Sequence, residues 1–140
     1  MKNLLCIVAF VSCTVMTMRP AKAILVQDAF GPVIQKQIDS LHRIISLNKS
    51  DTSLASAYVG LAEILYVSDI DTLERLSEKA MEIADRNLSK SSTSNAEKKS
   101  FRRSLAAALN NIGYVHDIKG NSPQALEYYK KALNVLQLLG

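Results

Sequence analysis

Apolar side chains recur with a period near 3.6 through almost the whole of this chain, and nowhere is there a sustained alternation of period two. That single pattern restricts the chain to helices packed on helices, because a sheet needs alternate residues on its buried face. Five helices are expected. The first covers about 32–47, with Pro32 at a position where its missing N–H costs nothing and Ile34, Ile38, Leu41 and Ile45 on one face. The second covers about 52–67, with Leu54, Tyr58, Leu61 and Leu65 in a stripe widened by Ala57, Ala62 and Ile64. A turn at 68–71 follows. The third begins after Asp71, which has capping-box spacing to Glu74, and carries Leu73, Leu76, Ala80, Ile83 and Ala84 to about Leu88. Residues 89–95 are rich in Ser and Thr and read as an exposed loop. The fourth helix starts near Ser94, with Glu97 three residues on, and buries Phe101, Leu105, Ala108, Ile112 and Val115 up to a stop at Gly120. The fifth takes Ser122 as N-cap and Pro123 in its first turn, then repeats Ala125, Tyr129, Ala132, Leu136 and Leu139.

The first 23 residues stand apart. Lys2 gives a positive start, 4–18 is an apolar run broken only by Ser and Thr, and Ala21-Lys22-Ala23 supplies small residues where a signal peptidase requires them. The run is shorter than the ~20 residues of a spanning helix. An export signal cleaved after Ala23 is the expectation, and an uncleaved membrane anchor over 4–18 is the alternative. Both cysteines, Cys6 and Cys13, fall inside this leader, so a mature chain would have neither disulfide nor thiolate chemistry. The net charge of +4 is also concentrated there: three of the 17 basic residues (Lys2, Arg19, Lys22) precede residue 24, leaving 14 against 13 acidic residues. A nearly neutral body lacks the electrostatic footprint that nucleic acid requires. No Gly-rich phosphate loop, nucleophile elbow or His-Glu-x-x-His is present, and His42 and His116 have no metal-ligand spacing. No enzyme, metal or cofactor is therefore expected.

The most informative segment is Leu109-Asn110-Asn111-Ile112-Gly113, followed by Gly120, Ala125, Tyr129 and Ala132. A large apolar residue, then an apolar residue and Gly three and four positions on, then Ala–aromatic–Ala along a second helix, resembles the tetratricopeptide repeat. In that register Leu109 takes the Trp position and Ile112-Gly113 the Leu-Gly pair. The departures are His116 in place of an aromatic and Gln137 in place of Pro. A degenerate copy lies upstream, where Lys79-Ala80-Met81-Glu82-Ile83 echoes Lys131-Ala132-Leu133-Asn134-Val135 and Leu61-Ala62 replaces Leu-Gly. The resemblance implies an all-α array of antiparallel helix pairs. Its divisions would be a signal peptide (1–23), an N-terminal capping helix (24–50), a degenerate helix pair (51–88), a Ser-rich loop (89–95) and a repeat (96–140).

It also implies a protein or peptide partner bound on a concave face built by the first helix of each pair. There the resemblance would place Ala107, Asn110, Tyr114 and Asp117, and upstream Ser56, Val59, Glu63 and Tyr66. None of these is Lys or Arg, so the carboxylate-clamp manner of binding an acidic tail is not expected. Asn111 would brace the helix pair, and Leu109, Ile112, Gly113, Gly120, Ala125, Tyr129 and Ala132 would be structural. Lys98, Lys99, Arg102 and Arg103 read as a solvated basic face. The strongly apolar C-terminal helix is a candidate for self-association. Export to a periplasmic or extracellular space follows from the leader, with membrane contact only if the leader is retained. Two further readings stay open: the N-terminal sensor or scaffold portion of a longer signalling protein, and a membrane-anchored structural or secretion-system component.

Overall fold

A computed structural model describes residues 31–67 and 69–139. The leader read over residues 1–23 lies outside them. The described chain is all-α, with five helices and no strand: α1 (Pro32–Leu47), α2 (Asp51–Leu65), α3 (Ile70–Leu88), α4 (Asn95–Ile118) and α5 (Ser122–Gln137).

The helix boundaries have local causes. α1 opens at Pro32 and closes at Asn48, whose φ of 41° is the one left-handed non-glycine conformation among the described residues and a conformation that Asn tolerates. Ser50 caps α2 by accepting the Ser53 N–H at 3.3 Å. α3 begins earlier than the sequence suggests. Its cap is Asp69, whose Oδ1 accepts the N–H groups of Asp71 (3.0 Å) and Thr72 (3.2 Å), so the expected Asp71–Glu74 box gives way to a cap two residues upstream. α4 has the capping box anticipated from Ser94 and Glu97: Ser94 Oγ accepts the Glu97 N–H (3.3 Å), and Glu97 Oε2 accepts the Ser94 N–H (2.9 Å). It ends in a Schellman motif around Gly120 (φ +76°), with Asn121 N–H donating to His116 C=O (2.8 Å) and Gly120 N–H to Asp117 C=O (2.9 Å). The N-cap of α5 is Asn121 rather than Ser122. Asn121 gives no side-chain bond to the helix backbone and holds Gln124 instead (2.6 Å), while Pro123 presets the first turn.

Packing is sequential, each helix lying against the next, with an additional contact between α2 and α4. Three buried layers run through α2, α3 and α4. Ala55 meets Ile83, Ala84 and Leu105; Val59 meets Ala80 and Ala108; Ala62 meets Leu73 and Val115. Residue numbers rise together along α2 and α4 and fall along α3, so α2 and α4 are parallel and α3 is antiparallel to both. Small residues dominate these layers: Ala55, Ala62, Ala80, Ala84 and Ala108 are each fully buried, which lets the helix axes approach closely. Against α4, α5 presents Ala125 and Ala132, both buried. An added Cβ on Gly113 would stand 2.8 Å from two ring carbons of Tyr129 and 3.3 Å from the Ala125 carbonyl oxygen. Only glycine admits the Tyr129 ring at that point.

A polar staple closes the other end. The Asn87 side chain is buried and donates to Asp51 Oδ2 (2.7 Å) and Ile83 C=O (2.8 Å), while its Oδ1 accepts from Lys90 Nζ (2.8 Å). Its backbone carbonyl accepts from Thr93 Oγ1 (2.6 Å). Lys90 and Thr93 therefore tie the Ser-rich segment to the end of α3, while the rest of it is exposed, as its composition suggests.

Candidate functional site

The parallel α2 and α4 converge toward their C-terminal ends on an open cleft of about 380 Å³, lined by Glu63, Tyr66, Leu73, Asn110, Asn111, Tyr114 and Tyr129. Each helix contributes by its register. Glu63 and Tyr66 lie one turn apart at the end of α2, Asn110 and Tyr114 one turn apart on α4, and Leu73 forms the floor from the first turns of α3. Tyr66 and Tyr114 meet edge to face, with centroids 6.2 Å apart and ring planes at 78°, a favourable geometry for the ring quadrupoles. Tyr129 enters from α5 across the bare backbone of Gly113.

The polar groups of the cleft are poorly provided for. The Asn111 Nδ2 is buried and has no hydrogen-bond partner among the described residues, an arrangement that costs a folded protein about 1–3 kcal/mol unless something accepts from it. Partial burial of Glu63 pushes its carboxyl above the ordinary range, since desolvation disfavours the charged form. The Tyr129 phenol is also held above its usual range, first by desolvation, then by the negative charge of Asp117 and by Tyr114. It is therefore a neutral hydrogen-bonding group at physiological pH. No Lys or Arg lines the cleft. Lys119, at the end of α4, is committed to Glu74 (2.6 Å) and Asp71 (3.4 Å) on α3.

Of the residues expected on a binding face, Glu63, Tyr66, Asn110 and Tyr114 come together here. Asp117 is exposed and outside the lining, although its charge reaches Tyr129. Ser56 is exposed two turns away on α2 and does not border the cleft. Val59 is not on an open face: it is buried against Ala80 and Ala108, and Ala107 packs on the same cluster. The hydrophobic demand of the inner layer, which a small apolar residue satisfies, explains both. Leu109, Ile112, Gly113, Ala125 and Ala132 are buried, and Gly120 has the left-handed conformation. Asn111 borders the cleft, with its Nδ2 buried and without a hydrogen-bond partner among the described residues.

Two lining residues, Asn111 and Tyr129, were expected to serve packing alone, and Leu73 was read only as part of a helix face. The available signal was the pairing of Gly113 with an aromatic on the next helix, which seats that ring beside Tyr114.

Elsewhere, His116 stacks on Tyr128 at 5.2 Å and Lys131 Nζ lies 5.0 Å from the same ring centroid. Lys98 and Arg102 border a smaller groove of about 260 Å³ with Leu88, Leu105, Val135 and Leu138. Among the described residues no cluster of His, Cys, Asp and Glu could hold a metal ion, and no helix is long and apolar enough to cross a membrane. Comparison with known protein families, curated proteins and solved structures found no match.

Proposed function

We propose that this chain is an exported protein-interaction module of the tetratricopeptide-repeat type, which captures an extended segment of a protein partner in the cleft between α2 and α4. The observation that carries this reading is the convergence of Glu63 and Tyr66 with Asn110 and Tyr114, two residue pairs far apart in sequence, around a cleft whose Asn111 amide has no acceptor among the described residues. A peptide backbone carbonyl supplies such an acceptor, and tyrosines supply large rigid contact area at low entropic cost. The parallel placement of α2 and α4, with α3 returning between them, supports the repeat reading. The register of Leu109, Ile112, Gly113, Ala125, Tyr129 and Ala132 supports it as well. Export rests on the composition of residues 1–23 alone. The proposal assigns the chain no catalytic chemistry, nucleic-acid binding, metal or cofactor.

The test is selection of random peptides displayed against the full chain, with Tyr114→Ala as the counter-screen. Enriched peptides that lose binding to Tyr114→Ala, with its fold intact by circular dichroism, support the reading. Enrichment that ignores Tyr114, or none at all, overturns it.

A second reading has its own observation. Leu126, Leu133 and Leu136 of α5 are about half exposed and lie at spacings of seven and three that put them on one face of the helix, which favours self-association through α5. Sedimentation of the wild type against Leu133→Lys decides it: the variant sediments as the smaller species if α5 is the interface, and the two are identical if it is not.

A further inference from the structure

We infer that the cleft receives an arginine side chain of the captured segment. The Glu63 carboxylate answers its charge, the tyrosines offer ring surface to the guanidinium plane, and the Asn111 amide donates to a carbonyl of the adjoining peptide. This deepens the proposed function and rests on it.

Charge is the first argument. Glu63 lines the cleft, Asp117 lies close enough to Tyr129 to act on its hydroxyl, and no Lys or Arg is found among the described residues that line the cleft. The last turn of α2, which carries Glu63 and Tyr66, has no basic residue. The Lys and Arg residues of α4 sit at its far end, and His116 in its last turn is stacked on Tyr128. From Arg103 to Asn110 the helix rises about 10 Å, beyond the ~8 Å over which solvent ions leave a charge effective. Lys119 is already paired with Glu74 and Asp71. A carboxylate in a partly desolvated position, with no ion pair among the described residues, is complementary to a positively charged guest.

The aromatic set is the second. Tyr66, Tyr114 and Tyr129 supply three rings around one opening, and ring faces attract cations. A guanidinium is planar, weakly hydrated and able to stack and donate at once, which a compact ammonium cannot do as well. Arginine is therefore preferred over lysine. The third argument is the unpaired Asn111 Nδ2. It is a donor, which a cationic side chain cannot satisfy; a turn of the Asn111 side chain toward the opening would bring it to an acceptor on the guest. The main chain on either side of an arginine brings one.

The probes are acetyl-arginine amide and its neutral isostere acetyl-citrulline amide, titrated into the full isotope-labelled chain by NMR. The Asn111 side-chain amide and the backbone amides of Glu63, Tyr66, Asn110 and Tyr114 are followed. Arginine is expected to bind about tenfold tighter than citrulline, the effect of one partly exposed charge-assisted contact, and acetyl-lysine amide to fall between them. Glu63→Gln keeps the shape of the side chain and should bring the arginine-to-citrulline ratio close to one while the thermal melt stays as in wild type. Equal affinities for the two probes, no perturbation of these amides, or a ratio that survives Glu63→Gln overturns the inference. If displayed peptides depend on Tyr114 but replacing their arginines by citrulline changes nothing, peptide capture stands and the arginine pocket falls. If no displayed peptide depends on Tyr114, peptide capture itself falls.

Discussion

Gly113→Ala exposes a conflict between helix propensity and packing whose outcome can be worked out in advance. Gly113 lies inside α4, where alanine is favoured over glycine by about 1 kcal/mol. The added Cβ would stand 2.8 Å from Tyr129 Cδ1 and Cε1, whereas carbon atoms in ordinary contact sit about 3.5–4.0 Å apart. The ring must therefore retreat by roughly 0.7 Å or more. The Ala125 carbonyl oxygen lies 3.3 Å from the same point, so the α5 backbone crowds the new methyl as well. Overpacking of this kind costs about 1–3 kcal/mol. Subtracting the propensity gain leaves a net destabilisation of about 0–2 kcal/mol. In a Tyr129→Ala background the ring is gone, and Gly113→Ala should stabilise by about 1 kcal/mol. The coupling between the two sites is then about 1–3 kcal/mol, measured by urea unfolding of the four proteins followed by circular dichroism. A Gly113→Ala variant more stable than wild type by about 1 kcal/mol, with the same gain in both backgrounds, would refute the reasoning.

Three further outcomes can be checked by the same measurement. Gly120→Ala should cost about 1 kcal/mol with no steric contribution, because φ is +76° and nothing lies within 4 Å of the added carbon; Gly120→Asn should cost less, and equal losses would show that the left-handed backbone is not the cause. Asn87→Ala should cost about 1–3 kcal/mol by leaving Ile83 C=O and Asp51 without its donor, and a loss below about 0.5 kcal/mol would remove the staple from the account. Hydrogen bonds from the Thr72 side chain and backbone, then from Asp71, together with the charge of Arg75, hold the Asp69 carboxyl below its ordinary range. Its contribution is thus complete above about pH 4 and is lost as pH falls through the lowered folded value. The stability gap between wild type and Asp69→Asn, whose cap does not titrate, should shrink on going from neutral pH to strong acid, and a gap independent of pH would exclude the carboxylate as its source.

Much of the helical layout was legible because it depends on local chemistry. Pro32, the Ser94–Glu97 box and Gly120 each fix a terminus by a mechanism contained within a few residues, and α1, α4 and the stop of α4 follow from them. Two boundaries turn on local competition between neighbouring caps. Asp69 won over Asp71 because Thr72 adds a hydroxyl donor to the same carboxylate at 2.7 Å, and Asn121 displaced Ser122 because the Schellman turn at Gly120 already fixes its backbone. The candidate site was legible in part, through positions one turn apart on α2 and α4. Periodicity assigns a residue to a face but does not tell an inner layer from a rim, so Val59 and Glu63, one turn apart, received the same expectation and met opposite environments. The Asn87 staple gave no sequence signal, since it depends on Asp51, 36 residues away.

The cleft and the packing signature are not separate features of this fold. Gly113 is small so that α5 can approach α4, and the ring that exploits the space, Tyr129, is also a wall of the cleft. Its neighbour Tyr114 follows Gly113 in sequence and stands against Tyr66 of α2 at 6.2 Å. A change at Gly113 therefore moves one tyrosine of the site directly and disturbs the environment of the second. Stability and binding should respond together there, whereas Glu63→Gln, at the rim and away from any buried layer, should separate them. If Gly113→Ala weakens both while Glu63→Gln weakens only arginine binding, the repeat signature is acting as the support of the site. If Gly113→Ala lowers stability but leaves arginine binding unchanged, the Tyr129 ring is a packing element that borders the cleft without contributing to what it holds.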